Sequence, residues 1–254
     1  FDCLNTLLNL SKLLRIKLQL FDSLGNIMIS VKNITKSYGN FTAVNDLSFD
    51  VKPGDVVGFL GPNGAGKSTS MKMITGFLVP DIGDIVINGD SVLSETKKVQ
   101  QQIGYLPEGA PAYGDMTVLE FLSFICQVRQ LKGDLRTQRI ADVVAKVELH
   151  SVLDKPIDNL SKGFKRRVGL AQAIIHDPDI LILDEPTDGL DPNQKHQVRK
   201  LIKSLAKDKI VIISTHILEE VTAVCNRVVI IASGTKCFDD SPDALLKESK
   251  YFNA

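Results

Sequence analysis

A glycine-rich loop that ends in lysine and serine has the residue types that most directly suggest chemistry. Residues 61–69 are GPNGAGKST, in which Gly61, Gly66, Lys67 and Ser68 have the spacing of a phosphate-binding P-loop. Glycines let backbone N–H groups fold around phosphate oxygens, and a helix beginning here adds partial positive charge. We expect Lys67 to reach the β- and γ-phosphates and Ser68 to ligate Mg²⁺. The predicted phosphate contacts are Gly61, Pro62, Asn63, Gly64, Ala65, Gly66, Lys67, Ser68 and Thr69.

Two adjacent carboxylates form the second candidate group. Residues 180–186 are ILILDEP, so Asp184 and Glu185 stand at the end of an apolar run that predicts a buried strand. We expect Asp184 to hold Mg²⁺ through water and Glu185 to polarise the water that attacks the γ-phosphate. A P-loop alone does not distinguish a kinase, a GTPase, a helicase and a transport ATPase. An Asn-Lys-x-Asp guanine-reading motif is absent from the sequence, which weighs against a GTPase.

The elements needed to position these groups are those of an α/β protein. Continuous apolar runs at 180–183, 210–214 and 228–232 are typical of parallel strands buried on both faces. Shorter β-branched runs before residue 90 show moderate alternation of apolar and polar residues and are interrupted by glycine, proline and aspartate. This pattern indicates partly antiparallel strands. A helical stretch at about 117–150 has apolar residues at mixed helical spacing. The predicted fold class is therefore α/β.

The composition is that of an ordinary globular protein. The chain has 254 residues, of which 24% are charged and 44% hydrophobic, and 30 basic residues balance 30 acidic ones. A zero net charge excludes a chain-wide basic field for nucleic acid. No run of about 18 uncharged apolar residues occurs, so the sequence predicts no transmembrane helix. The four cysteines lack the spacing of a metal site, and we expect a reducing cytosolic compartment.

The first part of the chain does not share the patterning of the rest. Residues 1–27 are rich in leucine, with Lys12, Arg15 and Lys17 in the middle. Three interpretations remain open: an amphipathic helix on a membrane surface, a targeting segment, or a leader before a domain that begins at Met28. The absence of a small-residue cleavage site weighs against a signal peptide. We expect this segment to be a leader or a non-native N-terminal extension.

A third motif connects these sites to a known family. Residues 160–168 are LSKGFKRRV and resemble the signature loop of ABC-type ATPases, which usually reads LSGGQ. Ser161 and Gly163 match that signature, whereas Lys162 and Phe164 depart from it. A serine and a glycine at a helix start present hydroxyl and N–H donors to an anion. In that family the anion is the γ-phosphate held by the P-loop of the partner subunit, so the resemblance implies that Ser161 and Gly163 contact ATP.

Further residues match ABC ATPases in order along the chain. Tyr38, in KSYGN, matches the aromatic residue that stacks on adenine. The GLDP sequence at 189–192 matches the D-loop, which contacts the partner subunit, and implies Asp191 as a residue of the shared ATP site. His216 matches the switch histidine that contacts the γ-phosphate. The implied catalytic residues are therefore Glu185 and His216.

One loop departs from the family pattern. ABC ATPases usually have a glutamine that contacts Mg²⁺ or the attacking water and the transmembrane partner, whereas residues 103–111, IGYLPEGAP, have Glu108 at that place. A carboxylate can still bind Mg²⁺ or water, but it adds negative charge near the phosphates. The resemblance thus implies Glu108 as an ATP-binding residue and, together with Ser68 and Asp184, as a metal-binding residue.

The resemblance covers about residues 30–245 and implies an architecture. It predicts a P-loop NTPase core of the RecA-like type, an antiparallel β subdomain and an α-helical subdomain of the ABC ATPase type. Residues 28–249 form the expected ABC ATPase domain, with the helical subdomain inserted at about 107–165. Residues 250–254 are the expected C-terminal stub.

The resemblance also implies a function that uses ATP and Mg²⁺. We expect the chain to hydrolyse ATP as a head-to-tail homodimer and to drive transport by a separate integral membrane permease. It would be a peripheral subunit on the cytoplasmic face of the membrane, with no nucleic acid partner. The YLPE variant and the single-copy, half-size form resemble subunits of ABC-2-type exporters, including gliding-motility and drug-resistance exporters.

Two other functions remain as alternatives. One is a soluble ATPase of the same superfamily that acts on DNA or the ribosome. Its DNA-repair members separate P-loop and signature by hundreds of residues, whereas Lys67 and Ser161 are much closer here, and its ribosome-type members have two cassettes in one chain. The other alternative is a small-molecule P-loop kinase, which would leave LSKGF, GLDP and His216 without a role.

Overall fold

The described part of the chain alternates strands with helices. The structure is a computed structural model that describes residues 28–207 and 209–251, so the predicted leader at 1–27 and most of the predicted stub at 250–254 lie outside it. Its strands are β1 (Ile29–Tyr38), β2 (Phe41–Val51), β3 (Val56–Leu60), β4 (Ile82–Ile87), β5 (Asp90–Ser91), β6 (Ile103–Leu106), β7 (Ile180–Asp184), β8 (Ile210–Thr215), β9 (Arg227–Ala232) and β10 (Thr235–Asp240). Its helices are α1 (Lys67–Ile74), α2 (Thr96–Gln102), α3 (Val118–Val128), α4 (Gly133–Lys146), α5 (Lys162–Ile174), α6 (Pro192–Leu205), α7 (Leu218–Val224) and α8 (Pro242–Tyr251). Among these described residues, no helix is both long and apolar enough to cross a membrane.

The first sheet is antiparallel and has the strand order β2-β1-β4-β5. β1 and β2 form a hairpin whose turn contains Gly39 and Asn40, and Gly39 has a φ of 58° that glycine adopts without strain. The register pairs Tyr38 with Phe41 across this turn. The sheet confirms the antiparallel strands predicted from the moderate alternation in this part of the sequence.

The second sheet ends at the edge where the candidate site lies. Its strand order is β10-β9-β3-β8-β7-β6, in which the strands from β9 to β6 are parallel and β10 is antiparallel. Every residue of β7 and β8 is buried, as predicted for continuous apolar runs covered on both faces. Leu60 pairs with Thr215, and Asp184 pairs with Ser214, so β3, β8 and β7 end side by side. The loops that follow these three strands therefore meet.

Helix α1 packs against both sheets. It begins at Lys67, and its Met71 and Ile74 are fully buried in one apolar cluster with Ile29 of β1 and Phe59 of β3. Burying side chains of this size contributes about 1.5–3 kcal/mol each to stability. This packing fixes the helix that follows the P-loop relative to the strand that precedes it.

Helices α3 and α4 lie between β6 and β7 in the chain and pack on α5. α3 begins with a capping box, because the Thr117 hydroxyl accepts from the Glu120 amide and the Glu120 carboxylate accepts from the Thr117 amide. Phe121 of α3 and Val143 of α4 are buried in the same cluster as Val168 of α5. The predicted helical stretch is therefore confirmed as two helices, whereas the predicted bounds of the domain and of the inserted subdomain stay predictions.

Candidate active site

The P-loop makes a turn between β3 and α1 that has no room for side chains at two glycines. Gly66 has a φ of 103°, and a Cβ there would lie 2.4 Å from the carbonyl oxygen of Ala43. A Cβ on Gly61 would lie 2.4 Å from the carbonyl oxygen of Ile231. Only glycine fits both positions, which suits a loop that wraps its backbone around a phosphate group. Around them, Pro62, Asn63 and Gly64 are exposed, Ala65 is buried, and Ser68 and Thr69 are half-buried.

The ammonium group of Lys67 lies between the P-loop and a carboxylate. Lys67 is 7% exposed, and its Nζ donates hydrogen bonds to the carbonyl oxygens of Gly61 at 2.8 Å and Pro62 at 3.2 Å. Nζ also lies 3.7 Å from Oε1 of Glu185. This placement lets the positive charge bind phosphate oxygens in the loop while it stays close to Glu185.

Asp184 is buried at the end of β7 with one carboxylate oxygen satisfied and the other not. Oδ1 accepts a hydrogen bond from the Ser214 hydroxyl on the neighbouring strand β8. Oδ2 is buried without a hydrogen-bond partner among the residues that the structure describes. An unpaired buried carboxylate oxygen is unfavourable, so it favours a nearby cation or its water shell. With the half-buried Ser68 at the start of α1, these oxygens fit the ligand preference of Mg²⁺.

Glu185 has a backbone conformation that few residues other than glycine adopt, with a φ of 48°. Its amide lies 3.1 Å from both the carbonyl oxygen and the hydroxyl oxygen of Ser214. Its carbonyl oxygen accepts from the Arg166 guanidinium, and its carboxylate accepts from Nδ1 of His216 at 3.1 Å. Such strained conformations persist only where neighbours hold them, and they are common at functional sites. The structure therefore brings Lys67, Asp184, Glu185 and His216 together.

Arg166 is a site residue that the sequence analysis did not identify. It lies on α5, is 5% exposed, and has an Nη1 atom without a hydrogen-bond partner in the described residues. Burial lowers the pKa of its guanidinium, and the charges of Asp188, Asp184, Glu185 and Glu108 oppose this shift. Arg166 thus adds a buried positive charge among the carboxylates of the site.

Glu108 lies in the exposed turn that follows β6, on the side of the sheet where Asp184 ends β7. Burial raises the pKa of Tyr105, and the charges of Asp184 and Glu108 raise it further. The Tyr105 hydroxyl is itself buried without a partner among the described residues. Glu108 and Asp184 therefore both lie within electrostatic range of Tyr105, but no hydrogen bond or ion pair of the described residues joins Glu108 to the P-loop.

Tyr38 lies at the tip of the first hairpin with its ring 51% exposed. Phe41, its cross-strand neighbour, is 61% exposed. Phe41 is not among the site residues predicted from the sequence, although two aromatic residues that flank a Gly-Asn turn indicate that both rings lie on one surface. Two exposed rings at one hairpin tip offer a surface on which a planar base can stack.

The signature residues lie at the start of α5, beside the start of α6. Ser161 is exposed, and its hydroxyl caps α5 by accepting from the Phe164 amide at 3.4 Å. A Cβ on Gly163 would lie 2.4 Å from Nε2 of Gln194, and Asp191 caps α6 by accepting from the Gln194 amide at 3.0 Å. Within the described ranges, no hydrogen bond joins this group to the P-loop. The predicted residues thus form two groups, one at the P-loop and one where α5 and α6 begin.

Comparisons with known proteins identify the family. A family model described as ABC transporter matches residues 44–188. The chain belongs to the ABC transporter family. It is 38% identical over 220 residues to the Nod factor export ATP-binding protein I of Burkholderia orbicola, covering 86% of this chain and 72% of that protein. It is 36% identical over 226 residues to the probable multidrug ABC transporter ATP-binding protein YbhF of Escherichia coli, covering 89% of this chain and 39% of that protein.

Solved structures of ABC proteins share this fold. An ATP-binding subunit of an ABC transporter superposes with a TM-score of 0.80 at 28% identity, covering 88% of this chain and 93% of that chain. CbiO1 from Clostridium perfringens, part of the ABC transporter complex cbiONQ, superposes with a TM-score of 0.79 at 27% identity, covering 90% and 94%. The predicted P-loop NTPase core with an antiparallel β subdomain and a helical subdomain is confirmed. The chain is an ABC-type ATPase that binds ATP.

This ABC ATPase has a groove between helices α1 and α2 on one side and helix α3 on the other. The groove has a volume of about 1160 Å³. Its charged lining residues are the cations Lys72, Lys97 and Arg129, and no carboxylate of the described residues lines it. Phe77 and Val128 are exposed apolar residues of its wall. The groove is therefore apolar with a positive rim.

A half-buried histidine, His176, lies in the wall of this groove. Nε2 of His176 donates to the Ile103 carbonyl oxygen at 3.2 Å, so Nδ1 is the unprotonated nitrogen, and it has no partner in the described residues. Burial, with the positive charges of Arg129 and Lys209, lowers the pKa of His176 to about 4, although the Ile103 carbonyl and Asp177 oppose the shift. The ABC ATPase therefore keeps this imidazole neutral at physiological pH.

Proposed function

We propose that this ABC ATPase is the nucleotide-hydrolysing subunit of an exporter, works as a head-to-tail pair, and drives a separate membrane permease. The position of the Glu185 carboxylate is the observation that carries this proposal. Its Oε1 lies 3.7 Å from Nζ of Lys67 and 3.1 Å from Nδ1 of His216. A carboxylate between two groups that can bind a γ-phosphate is placed to act on the water that attacks it.

In this proposal each residue around the P-loop has its own role. Lys67 binds the β- and γ-phosphates as a point charge. Glu185 accepts the proton of the attacking water, and His216 orients the Glu185 carboxylate through Nδ1–H, while a protonated Nε2 would donate to the γ-phosphate. Ser68 and Asp184 would hold Mg²⁺, with Glu108 as a further candidate, and the bound ion would neutralise charge that develops on the phosphate oxygens.

The signature residues support a site that is shared between two copies. Ser161 and Asp191 are exposed and cap the starts of α5 and α6, and in the described residues neither makes a hydrogen bond to the P-loop of its own chain. In a head-to-tail pair, Ser161 and Gly163 of one copy would face the γ-phosphate held by the other copy. A serine hydroxyl and helix N–H groups would then stabilise the transferred charge. Tyr38 would stack on the adenine of its own copy.

The groove and the relatives support a membrane partner. The relatives described above carry the names of an export protein and of a probable multidrug transporter protein, which favours an exporter. The positive rim of Lys72 and Lys97 beside the apolar Phe77 suits an acidic amphipathic helix of the permease. We therefore place the subunit at the cytoplasmic face of the membrane, as a peripheral protein without a nucleic acid partner.

Co-expression tests the proposed partnership. The tagged chain would be expressed with the membrane proteins encoded beside it and purified from detergent-solubilised membranes. We expect one of them to co-purify, and we expect the double variant Lys72→Glu, Lys97→Glu to reduce its recovery because reversed charges repel an acidic segment. Lys52→Glu, a reversal at an exposed turn outside the groove, is the matched control. Equal recovery with both variants would exclude the groove as the docking site, and no co-purification would contradict the permease partnership.

A further inference from the structure

A buried carboxylate on α7 contacts the loops that carry Glu185 and His216. This residue, Glu220, is 5% exposed, although a buried charge is unfavourable unless polar or charged groups surround it. Its Oε1 accepts from the Thr187 hydroxyl and from Nζ of Lys195 at 3.3 Å. Its Oε2 accepts from the Thr215 hydroxyl at 2.9 Å. Both oxygens are therefore used: Oε1 contacts the turn after β7 and helix α6, and Oε2 contacts the last residue of β8.

The two hydroxyl donors are close in sequence to the two site residues. Thr187 follows Glu185 in the turn between β7 and α6, and Thr215 directly precedes His216 at the end of β8. The Thr215 hydroxyl also accepts from the Ile217 amide at 3.1 Å, so it fixes the backbone on both sides of His216. The Glu220 carboxylate thus bridges Thr187, which follows Glu185, and Thr215, which precedes His216.

The same carboxylate also contacts helix α6. Lys195 lies in the first turns of that helix, which Asp191 caps, and Nη2 of Arg199 lies 3.9 Å from Oε1 of Glu220. Asp191 belongs to the loop that the proposed function places against the second copy. Hydrogen bonds from Lys195 and from Thr215 to Glu220 therefore connect α6 to the residue that directly precedes His216.

We propose that Glu220 is a positioning residue that holds His216 at hydrogen-bonding distance from Glu185 and links this pair to α6. The proposal rests on the proposed function, because it requires Glu185 and His216 to act in hydrolysis. In the described residues, Glu220 makes no hydrogen bond or ion pair with the P-loop. Its loss should therefore lower kcat and leave ATP binding unchanged, whereas a purely structural role would change stability alone.

Steady-state ATP hydrolysis by full-length variants tests the proposal. Glu220→Gln keeps the size and removes the charge, and Glu220→Ala removes every hydrogen bond of the carboxylate. A displacement of reacting groups by about 1 Å costs on the order of 10²-fold in rate, so we expect about that loss of kcat for Glu220→Ala, a smaller loss for Glu220→Gln, and a KM for ATP within about twofold of wild type. Glu219→Gln, at the exposed neighbouring position on α7, is the matched control and should keep the wild-type kcat.

A double-mutant cycle shows whether Glu220 acts through His216. In a His216→Ala background, Glu220→Gln should cost little further activity, because both substitutions remove the same arrangement. Fully additive losses, or a wild-type kcat for Glu220→Ala while His216→Ala is impaired, would overturn this proposal alone. Unchanged turnover of His216→Ala would instead overturn the proposed function, and the role of Glu220 with it.

A spectroscopic measurement covers the case in which Glu220→Ala does not fold. The ring resonances of His216 in ¹H–¹³C NMR spectra should move in Glu220→Gln and stay in place in Glu219→Gln. Thr187→Val removes one hydroxyl donor at nearly constant size and should move the same resonances. Unmoved His216 resonances in both Glu220→Gln and Thr187→Val would contradict the positioning role.

Discussion

Nδ1 of His216 lies 3.1 Å from Oε1 and 3.2 Å from Oε2 of Glu185, so one ring nitrogen contacts both oxygens of the carboxylate. An ionised carboxylate only accepts hydrogen bonds, so Nδ1 carries a proton, and a proton on Nε2 would let that nitrogen donate to a phosphate oxygen. On the other side, Nζ of Lys67 lies 3.7 Å from Oε1. Protein groups alone therefore orient the Glu185 carboxylate toward the P-loop.

Ser161→Arg tests the site shared between two copies. Ser161 is exposed and caps α5 without contacting the P-loop of its own chain in the described residues. An arginine there should leave ATP binding by the monomer intact, and it should stop hydrolysis because a bulky side chain blocks the γ-phosphate of the other copy. Equilibrium ATP binding and steady-state turnover of the same sample measure the two effects.

Mixing two inactive variants provides the control for this prediction. A pair of one Ser161→Arg chain and one Lys67→Ala chain contains one site with both defects and one site with neither. Mixing should therefore restore part of the turnover if the copies pair head to tail. Normal turnover by Ser161→Arg alone, or no recovery in the mixture, would show that this arrangement is wrong.

Base selectivity should be weak in this ATPase. Tyr38 and Phe41 offer exposed rings, and stacking on a ring tolerates any planar base. We expect GTP to compete with ATP within about tenfold, which corresponds to about 1.4 kcal/mol. Competition binding measures the ratio, and Tyr38→Ala should weaken both nucleotides alike. Strong discrimination against GTP would mean that a polar group also contacts the base.

Local patterns explain which elements the sequence predicts. The runs at 180–183 and 210–214 are apolar at every position or nearly so, and both are buried strands of the parallel sheet. The strand β10, TKCFDD, was not predicted, because an exposed edge strand needs neither an apolar run nor strict alternation. Helix α2, TKKVQQQ, was missed because it buries only Val99 and so has no apolar periodicity.

The site residues also fall into those that a sequence motif predicts and those that only the fold reveals. The P-loop and the acidic pair are contiguous in sequence, so a motif suffices to find them. Ser214 was missed because its contact with Asp184 exists only where β8 pairs with β7. Arg166 was missed among neighbouring basic residues, although it shares a helical face with the buried Gly163 and Leu170, which was the available signal. Partners that are distant in sequence need the fold to bring them together.

Stability should fall in mild acid because of His176. Its pKa is lowered to about 4 in the folded protein from an ordinary value of 6.5, so the unfolded chain binds more protons between these values. The stabilisation is present above pH 6.5 and is lost as pH falls toward 4, which amounts to about 2 kcal/mol between pH 7 and pH 5. Urea unfolding at both pH values measures it.

Two variants separate the contribution of His176 to the pH dependence of stability from that of the other titrating groups. His176→Gln keeps a donor for the Ile103 carbonyl but cannot titrate, so it should lose less stability than wild type over the same interval. His196→Gln, at an exposed position on α6, should behave as wild type. The same pH dependence in all three proteins would contradict a half-buried, neutral His176.

Glu185→Gln tests whether Glu185 is the base for the attacking water. The substitution keeps the size and hydrogen bonding but removes the base and one negative charge that faces the γ-phosphate. ATP turnover should fall by about 10²–10⁴-fold, and ATP should be bound at least as well as by wild type. Asp184→Asn, the adjacent change, should instead weaken Mg²⁺-dependent ATP binding.

The decisive measurement is ATP turnover of Glu185→Gln together with its dimer fraction in ATP on size exclusion. We expect very slow hydrolysis by a protein that elutes as a dimer, because removing the repelling charge stabilises the ATP-bound pair. Near-normal turnover would exclude Glu185 as the base and move that role to Glu108 or His216.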